Sequence, residues 1–246
     1  MTKKAKMAII IAVIVVLLGA IALGAYYFVF REDECIEEVN NTIPEINRTP
    51  RINGQPNPNY LTLGHKPIIY LYPTETTEVS VTLPKKELIT CSYPKYTDGW
   101  KVKAESNGNL IDLTTNRELY ALYYESENAE PFKVEKDGFV VKGKDSASFL
   151  EEKLEILGLT PREAEEFIVY WLPKLEANNY NYIRFATMEE INRNMPLEIA
   201  PNPDTLIRVL MIYKGLNNPI EVEEQNLIAP ERKGFVAVEW GGTEIQ

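Results

Sequence analysis

The longest apolar stretch of the chain stands near its beginning. From Met7 to Phe30 every residue is apolar, aromatic or glycine, with no charge, Asn, Gln or Pro. As a helix, about 24 residues span roughly 36 Å, against a hydrocarbon core of roughly 30 Å. The pattern predicts one transmembrane helix over 7–30, slightly tilted. Lys3, Lys4 and Lys6 precede the run, and Arg31, Glu32, Asp33 and Glu34 follow it. The lysine excess keeps residues 1–6 as a short cytoplasmic tail and sends the C-terminal bulk outside the cell membrane. A signal peptide cleaved after Ala22 or Ala25 is the competing reading. Its apolar region is normally about 7–15 residues, shorter than this run. Both readings export the remainder.

Beyond the run, periodicity lapses. Residues 31–60 carry Pro44, Pro50, Pro56 and Pro58 among many asparagines, a composition unable to bury enough surface to fold alone. They read as a flexible linker with a reach on the order of 30 Å. From there 61–246 read as one extracytoplasmic domain. Strand patterns run over Ile68–Tyr72, Glu78–Leu83, Glu87–Tyr93, Trp100–Ala104, Asn109–Leu113 and Glu118–Tyr124. Turn residues stand between or beyond them, Asp98-Gly99, Asn107-Gly108 and Asp137-Gly138 among these. Short strands at such spacing predict an antiparallel sheet or sandwich.

After Lys144 the apolar period becomes helical. Asp145 or Ser146 can cap a helix whose apolar face is Phe149, Leu150, Leu154 and Leu157, with Gly158 placed to end it. Thr160-Pro161-Arg162-Glu163 then forms a capping box with Pro at the first helical position. The stripe Ala164, Phe167, Ile168, Trp171, Leu172 and Leu175 follows, and Pro173 should kink or end the helix in its last turn. Asn181–Ala186, Leu197–Ala200, Thr205–Tyr213 and Gly234–Trp240 read as strands, with a short helix over Met188–Asn194. The expected fold is α+β: antiparallel sheets with an inserted two-helix hairpin, preceded by one transmembrane helix.

Composition narrows the partners. The chain holds 26 Lys and Arg against 36 Asp and Glu, a formal charge of -10. An exported domain this acidic would be repelled by phosphate backbones, which argues against nucleic acid. Two cysteines and one histidine, His65 in a Gly-His-Lys loop, supply no metal set, and no cofactor motif is present. An oxidising exterior permits a Cys35–Cys91 disulfide; free thiols and an intermolecular bridge are the alternatives.

Charges inside apolar strands are the candidate chemistry. Both faces of Thr205–Tyr213 look buried, so Arg208 needs an anionic partner. Glu239 stands similarly in Gly234–Trp240, and Arg184 between Ile183 and Phe185, so Glu239 is expected to pair with Arg208 or Arg184. An exposed Trp240 beside Glu239, with Tyr70, Tyr72, Tyr120, Tyr123 and Tyr124 nearby, would suit a sugar ring. Glycoside hydrolysis would need a second carboxylate beside Glu239. Glu118, Glu165, Glu166, Asp112 and Glu224 are candidates that sequence cannot rank.

Three stretches together carry a likeness: KPIIYLYP at Lys66–Pro73, FIVYWLP at Phe167–Pro173 and GFVAVEWGG at Gly234–Gly242. They resemble a family of bacterial exported or membrane-anchored proteins reading KPVIYLYP near the start and EWGG near the end. The resemblance implies an envelope location and one continuous domain, with no activity or catalytic residues attached. The leading expectation is a non-catalytic module binding a cell-envelope component or surface protein, with Tyr70, Tyr72, Arg208, Glu239 and Trp240 as binding candidates. The alternative is a carboxylate-dependent hydrolase of envelope glycan or peptide, with Glu239 as its catalytic candidate. A third expectation is a sensor or scaffold within a membrane complex, signalling through membrane partners.

Overall fold

In the computed structural model, residues 63–245 are described. The tail, the apolar run, the linker and Cys35 lie outside the described residues. Among the described residues no helix is long and apolar enough to cross a membrane.

Alternation sets most strands. The first half of the domain gives β1 (Leu63–Tyr72), β2 (Thr77–Thr82), β3 (Ile89–Tyr93), β4 (Trp100–Ala104), β5 (Leu110–Asp112), β6 (Glu118–Leu119), β7 (Leu122–Glu127) and β8 (Asp137–Lys142). Helices α1 (Ser146–Ile156) and α2 (Pro161–Glu176) follow, then β9 (Tyr180–Phe185), α3 (Met188–Asn194), β10 (Glu198–Ala200), β11 (Thr205–Leu216), β12 (Glu223–Glu224) and β13 (Val236–Glu244). They build an eight-stranded sheet, β12-β8-β9-β11-β13-β1-β7-β3, and a five-stranded sheet, β10-β2-β4-β5-β6.

The large sheet is covered on both faces. Phe167, Trp171 and Leu175 of α2 and Leu150 and Leu154 of α1 pack on one face against Tyr70, Val209, Met211, Val238 and Trp240. On the other face Ile69, Leu71, Leu122 and Ala237 meet Val79, Val81, Val102 and Leu110 of the small sheet. Each large apolar side chain so buried contributes about 1.5–3 kcal/mol. The α+β class and the helical hairpin agree with the sequence pattern.

Several details differ from the periodicity reading, the start of Glu87–Tyr93 among them: Lys86–Leu88 is a 3-10 turn and the strand begins at Ile89. The central pair β11–β13 is parallel, as is β12–β8, so the large sheet is mixed rather than antiparallel. Parallel neighbours need a long crossover, here the chain between Leu216 and Val236. Glu118–Tyr124 is two strands, not one: the chain leaves the small sheet after Leu119 and enters the large sheet at Leu122. Asp137-Gly138 opens β8 instead of forming a turn; Gly138 is needed because a Cβ there would lie 2.7 Å from the Tyr182 ring. His65, expected in a loop, has a backbone paired with Gly242.

The helix signals fare better. Thr160 accepts from the Glu163 amide while the Glu163 carboxylate accepts from the Thr160 amide, closing the predicted capping box. Gly158, at φ +86°, stands just past the end of α1. Asp145 occupies the α1 N-cap but makes no side-chain capping bond, because a 3-10 turn over Gly143–Asp145 leads in. Pro173 lies inside α2, which continues to Glu176. The carbonyl whose bond Pro173 forfeits belongs to Val169, a residue 70% exposed.

Candidate functional site

The predicted charges meet beneath α3. Parallel register sets Arg208 opposite Glu239 on the small-sheet face. Arg208 Nε donates to Glu239 Oε2 at 2.5 Å, and the two side chains are 1% and 6% exposed. The other guanidinium nitrogens donate to Asn192 Oδ1 at 2.7 Å and to the Met195 carbonyl at 2.9 Å. Tyr124 OH donates to Glu239 Oε1 at 2.7 Å. Burial works against the Arg208 charge, but the Glu239 carboxylate more than offsets it and holds the guanidinium protonated. Burial and the adjacent Glu239 carboxylate push the Tyr124 phenol well up, so it stays a donor.

Arg184, the other candidate partner, turns instead to Glu190 in a two-pronged contact at 3.1 Å and to Asp137 at 3.3 Å. Both arginines thereby hold α3 on the sheet. The recess beside Glu239 has a volume of about 30 Å³ and is lined by Tyr124, Ser126, Asn128, Asn194 and Arg208 among others. That is far below the roughly 300–1,000 Å³ of a ligand pocket, so no sugar ring enters. None of Glu118, Glu165, Glu166, Asp112 and Glu224 lines it. Glu166 instead accepts from Tyr70 OH at 2.6 Å, and Asp112 from Thr115.

Strand alternation sends Trp240 to the face opposite Glu239. Its indole is fully buried, with Phe167 at 5.4 Å and Tyr70 at 6.5 Å between ring centroids. Trp240 is therefore a core residue and not the expected exposed platform. Tyr70 is buried too, and the half-buried Tyr72 lies under the Arg232 guanidinium, 5.4 Å away. Cys91 is exposed on edge strand β3; its expected partner Cys35 lies outside the described residues.

A second locus forms where β1 enters the sheet. Pro67 has no N–H to give a ladder, and β1 is flanked by strands on both sides, a position Pro occupies only at a bulge. The register accordingly shifts between His65 and Ile68 against β13 and between Gly64 and Ile68 against β7. Lys66 absorbs the bulge at φ +55°, a left-handed conformation uncommon for a long side chain. Its ammonium lies 4.6 Å from the Tyr170 ring centroid, and Lys174 Nζ lies 4.1 Å from the same centroid.

Beside this cluster, Tyr123 pairs with Ile68 on one side and with Tyr93 on the other, and Tyr93 is 52% exposed. Burial, then a hydrogen bond with Glu125, pushes the Tyr123 phenol up. Burial, then the Glu125 charge, does the same to Tyr170. Strand pattern alone offers Tyr123 only as a neighbour of Trp240 and does not single out Lys66, Tyr170 or Lys174. The available signal was Lys66-Pro67 at the head of an apolar strand, which demands a bulge once that strand is central.

The described residues thus form an α+β domain with two layers of sheet under a helical hairpin, a closed charged network inside and an open tyrosine–lysine cluster at one edge. No family model, curated protein or solved structure matches the chain.

Proposed function

We propose that this protein is a membrane-anchored, extracytoplasmic binding module of the cell envelope, without hydrolytic chemistry of its own. The observation that carries the reading is the contrast between two groups of side chains. Glu239, the catalytic candidate of the hydrolase alternative, has both oxygens engaged in a recess of about 30 Å³. Tyr93, Tyr123 and Tyr170 stand at least partly open beside two lysines. Aromatic rings with a polar rim suit recognition of amphipathic ligands such as sugars. The uncharged run from Met7 to Phe30 and the lysines before it support the anchor and its orientation. The KPIIYLYP and GFVAVEWGG stretches support the envelope location through the family they resemble.

The test uses the full chain in lipid nanodiscs, incubated with purified envelope material. Retained glycan should fall at least fivefold in a Tyr93→Ala/Tyr123→Ala variant, with no new fragments in the supernatant. Fragments that appear with wild type and vanish with Glu239→Gln would replace this reading with a hydrolase.

A further inference from the structure

Lys66 and Lys174 hold their ammonium groups against one ring, Tyr170, at 4.6 and 4.1 Å from its centroid. The two cations are therefore less than about 9 Å apart, within one Debye length at about 0.1 M salt. Among the described residues neither lysine has a carboxylate within ion-pair distance, although acidic residues outnumber basic ones 36 to 26 in the chain. The Glu125 carboxylate acts on the Tyr123 and Tyr170 phenols but forms no ion pair with either lysine among the described residues. Among the described residues, two like charges thus share one ring with no ion-paired carboxylate, an arrangement that favours one further anion.

Lys66 is half-buried, fixed in a bulge at φ +55°, and its ammonium also faces Trp240 at 6.0 Å. Strain of this kind persists where the surrounding structure fixes it and gathers at ligand sites. Lys174 is carried by the last turn of α2 and also lies over Trp171 at 5.7 Å. The open aromatic surface begins one strand away. Tyr123 sits across from Ile68 in β1, and Tyr93 beyond it on edge strand β3. Two strand spacings put Tyr93 on the order of 10 Å from β1, the scale of one sugar ring with a substituent.

We propose that this cluster is a subsite for a sugar bearing a carboxylate. The apolar face of the ring stacks on Tyr93 and Tyr123, its carboxylate lies at the rim of Tyr170 against the lysine ammonium groups, and Tyr170 positions the two ammonium groups. This deepens the binding reading above and rests on it.

The experiment measures calorimetric affinity of the full chain in zwitterionic nanodiscs for an oligogalacturonate and for a malto-oligosaccharide of equal length. The uronate should bind at least tenfold tighter, with the preference lost at high salt. A Lys66→Gln/Lys174→Gln variant, its melting temperature unchanged, should bind both sugars alike. Equal wild-type affinity for the two sugars, or an unaffected lysine variant, would overturn the subsite while leaving a binding module that still retains envelope glycan. Binding to neither sugar, with retention of envelope glycan intact, would also overturn the subsite alone. Lysine-dependent binding to anionic lipid vesicles, with no uronate preference, would move the surface to a membrane role instead. Loss of envelope retention as well would remove both readings.

Discussion

Arg208 and Lys66 are cations on neighbouring parts of one sheet, yet their surroundings are opposite. Arg208 is buried and spends its Nε and both terminal nitrogens on Glu239, Asn192 and Met195. Lys66 is half-exposed, lies over the Tyr170 and Trp240 rings, and shares one of them with a second cation. A satisfied charge holds a fold together, whereas an unsatisfied one at the surface waits for something else. Burial made the difference: a guanidinium removed from water must find partners or cost several kcal/mol, while an ammonium at the rim keeps its hydration. Arg also suits the buried role because its planar fork offers donors in fixed directions, and Lys suits the rim as a compact hydrated charge.

The largest effect should come from unbalancing the buried pair. Glu239→Leu leaves Arg208 uncompensated and should cost about 3–5 kcal/mol in urea unfolding. Replacing both, as Arg208→Met with Glu239→Leu, should recover most of that loss. If the single variant is as stable as wild type, the network is not what secures α3. On the helical face, Gly242→Ala should cost about 1–3 kcal/mol. Its Cβ would sit 2.6 Å from Trp171 Cζ2 and 2.9 Å from the Met211 carbonyl, and a neutral result would mean that the layers can slide apart.

A pH series sharpens the closed side of the comparison. Burial opposes the Glu190 charge, but the Arg184 guanidinium and the Thr187 amide and hydroxyl hold its carboxyl below the usual range. That pair therefore stabilises fully above the ordinary carboxylate value. The contribution fades as pH falls through the depressed one. Arg184→Met should flatten the acid limb of stability against pH relative to wild type, measured by thermal melts; an unchanged limb would remove Glu190 from the account.

The smallest effect belongs to the open site. Lys66→Gly relieves left-handed strain of about 1–2 kcal/mol and loses cation–π contact of about 0.5–1 kcal/mol. Its melting temperature should stay within a few degrees of wild type, at the stabilising side. A large loss would make Lys66 a structural residue and erase the contrast with Arg208.

Pairwise logic carried far. That Arg208 and Glu239 each needed a partner followed from their flanks of Ile207, Val209, Val238 and Trp240, and choosing between Arg208 and Arg184 required only the register. Trp240 went the other way. Alternation already put it opposite Glu239, so an indole beside that carboxylate conflicted with the strand period, and the helical face supplied the apolar cover that buried it. The open cluster was scarcely legible, since it joins β1, β7, β3 and α2 across more than a hundred residues of chain.

By itself the sequence determined what depends on neighbours along the chain. The capping box at Thr160, the helical stripes, strand alternation over Trp100–Ala104 and the need of buried charges for partners are set by backbone period and by the cost of desolvation. Tertiary structure alone decided which strands became neighbours. It made β11 and β13 parallel, turned Pro67 into a bulge inside a central strand and set two lysines over one tyrosine. Those outcomes depend on packing between distant segments, where many pairings share the same periodicity and only the complete set of buried surfaces selects one.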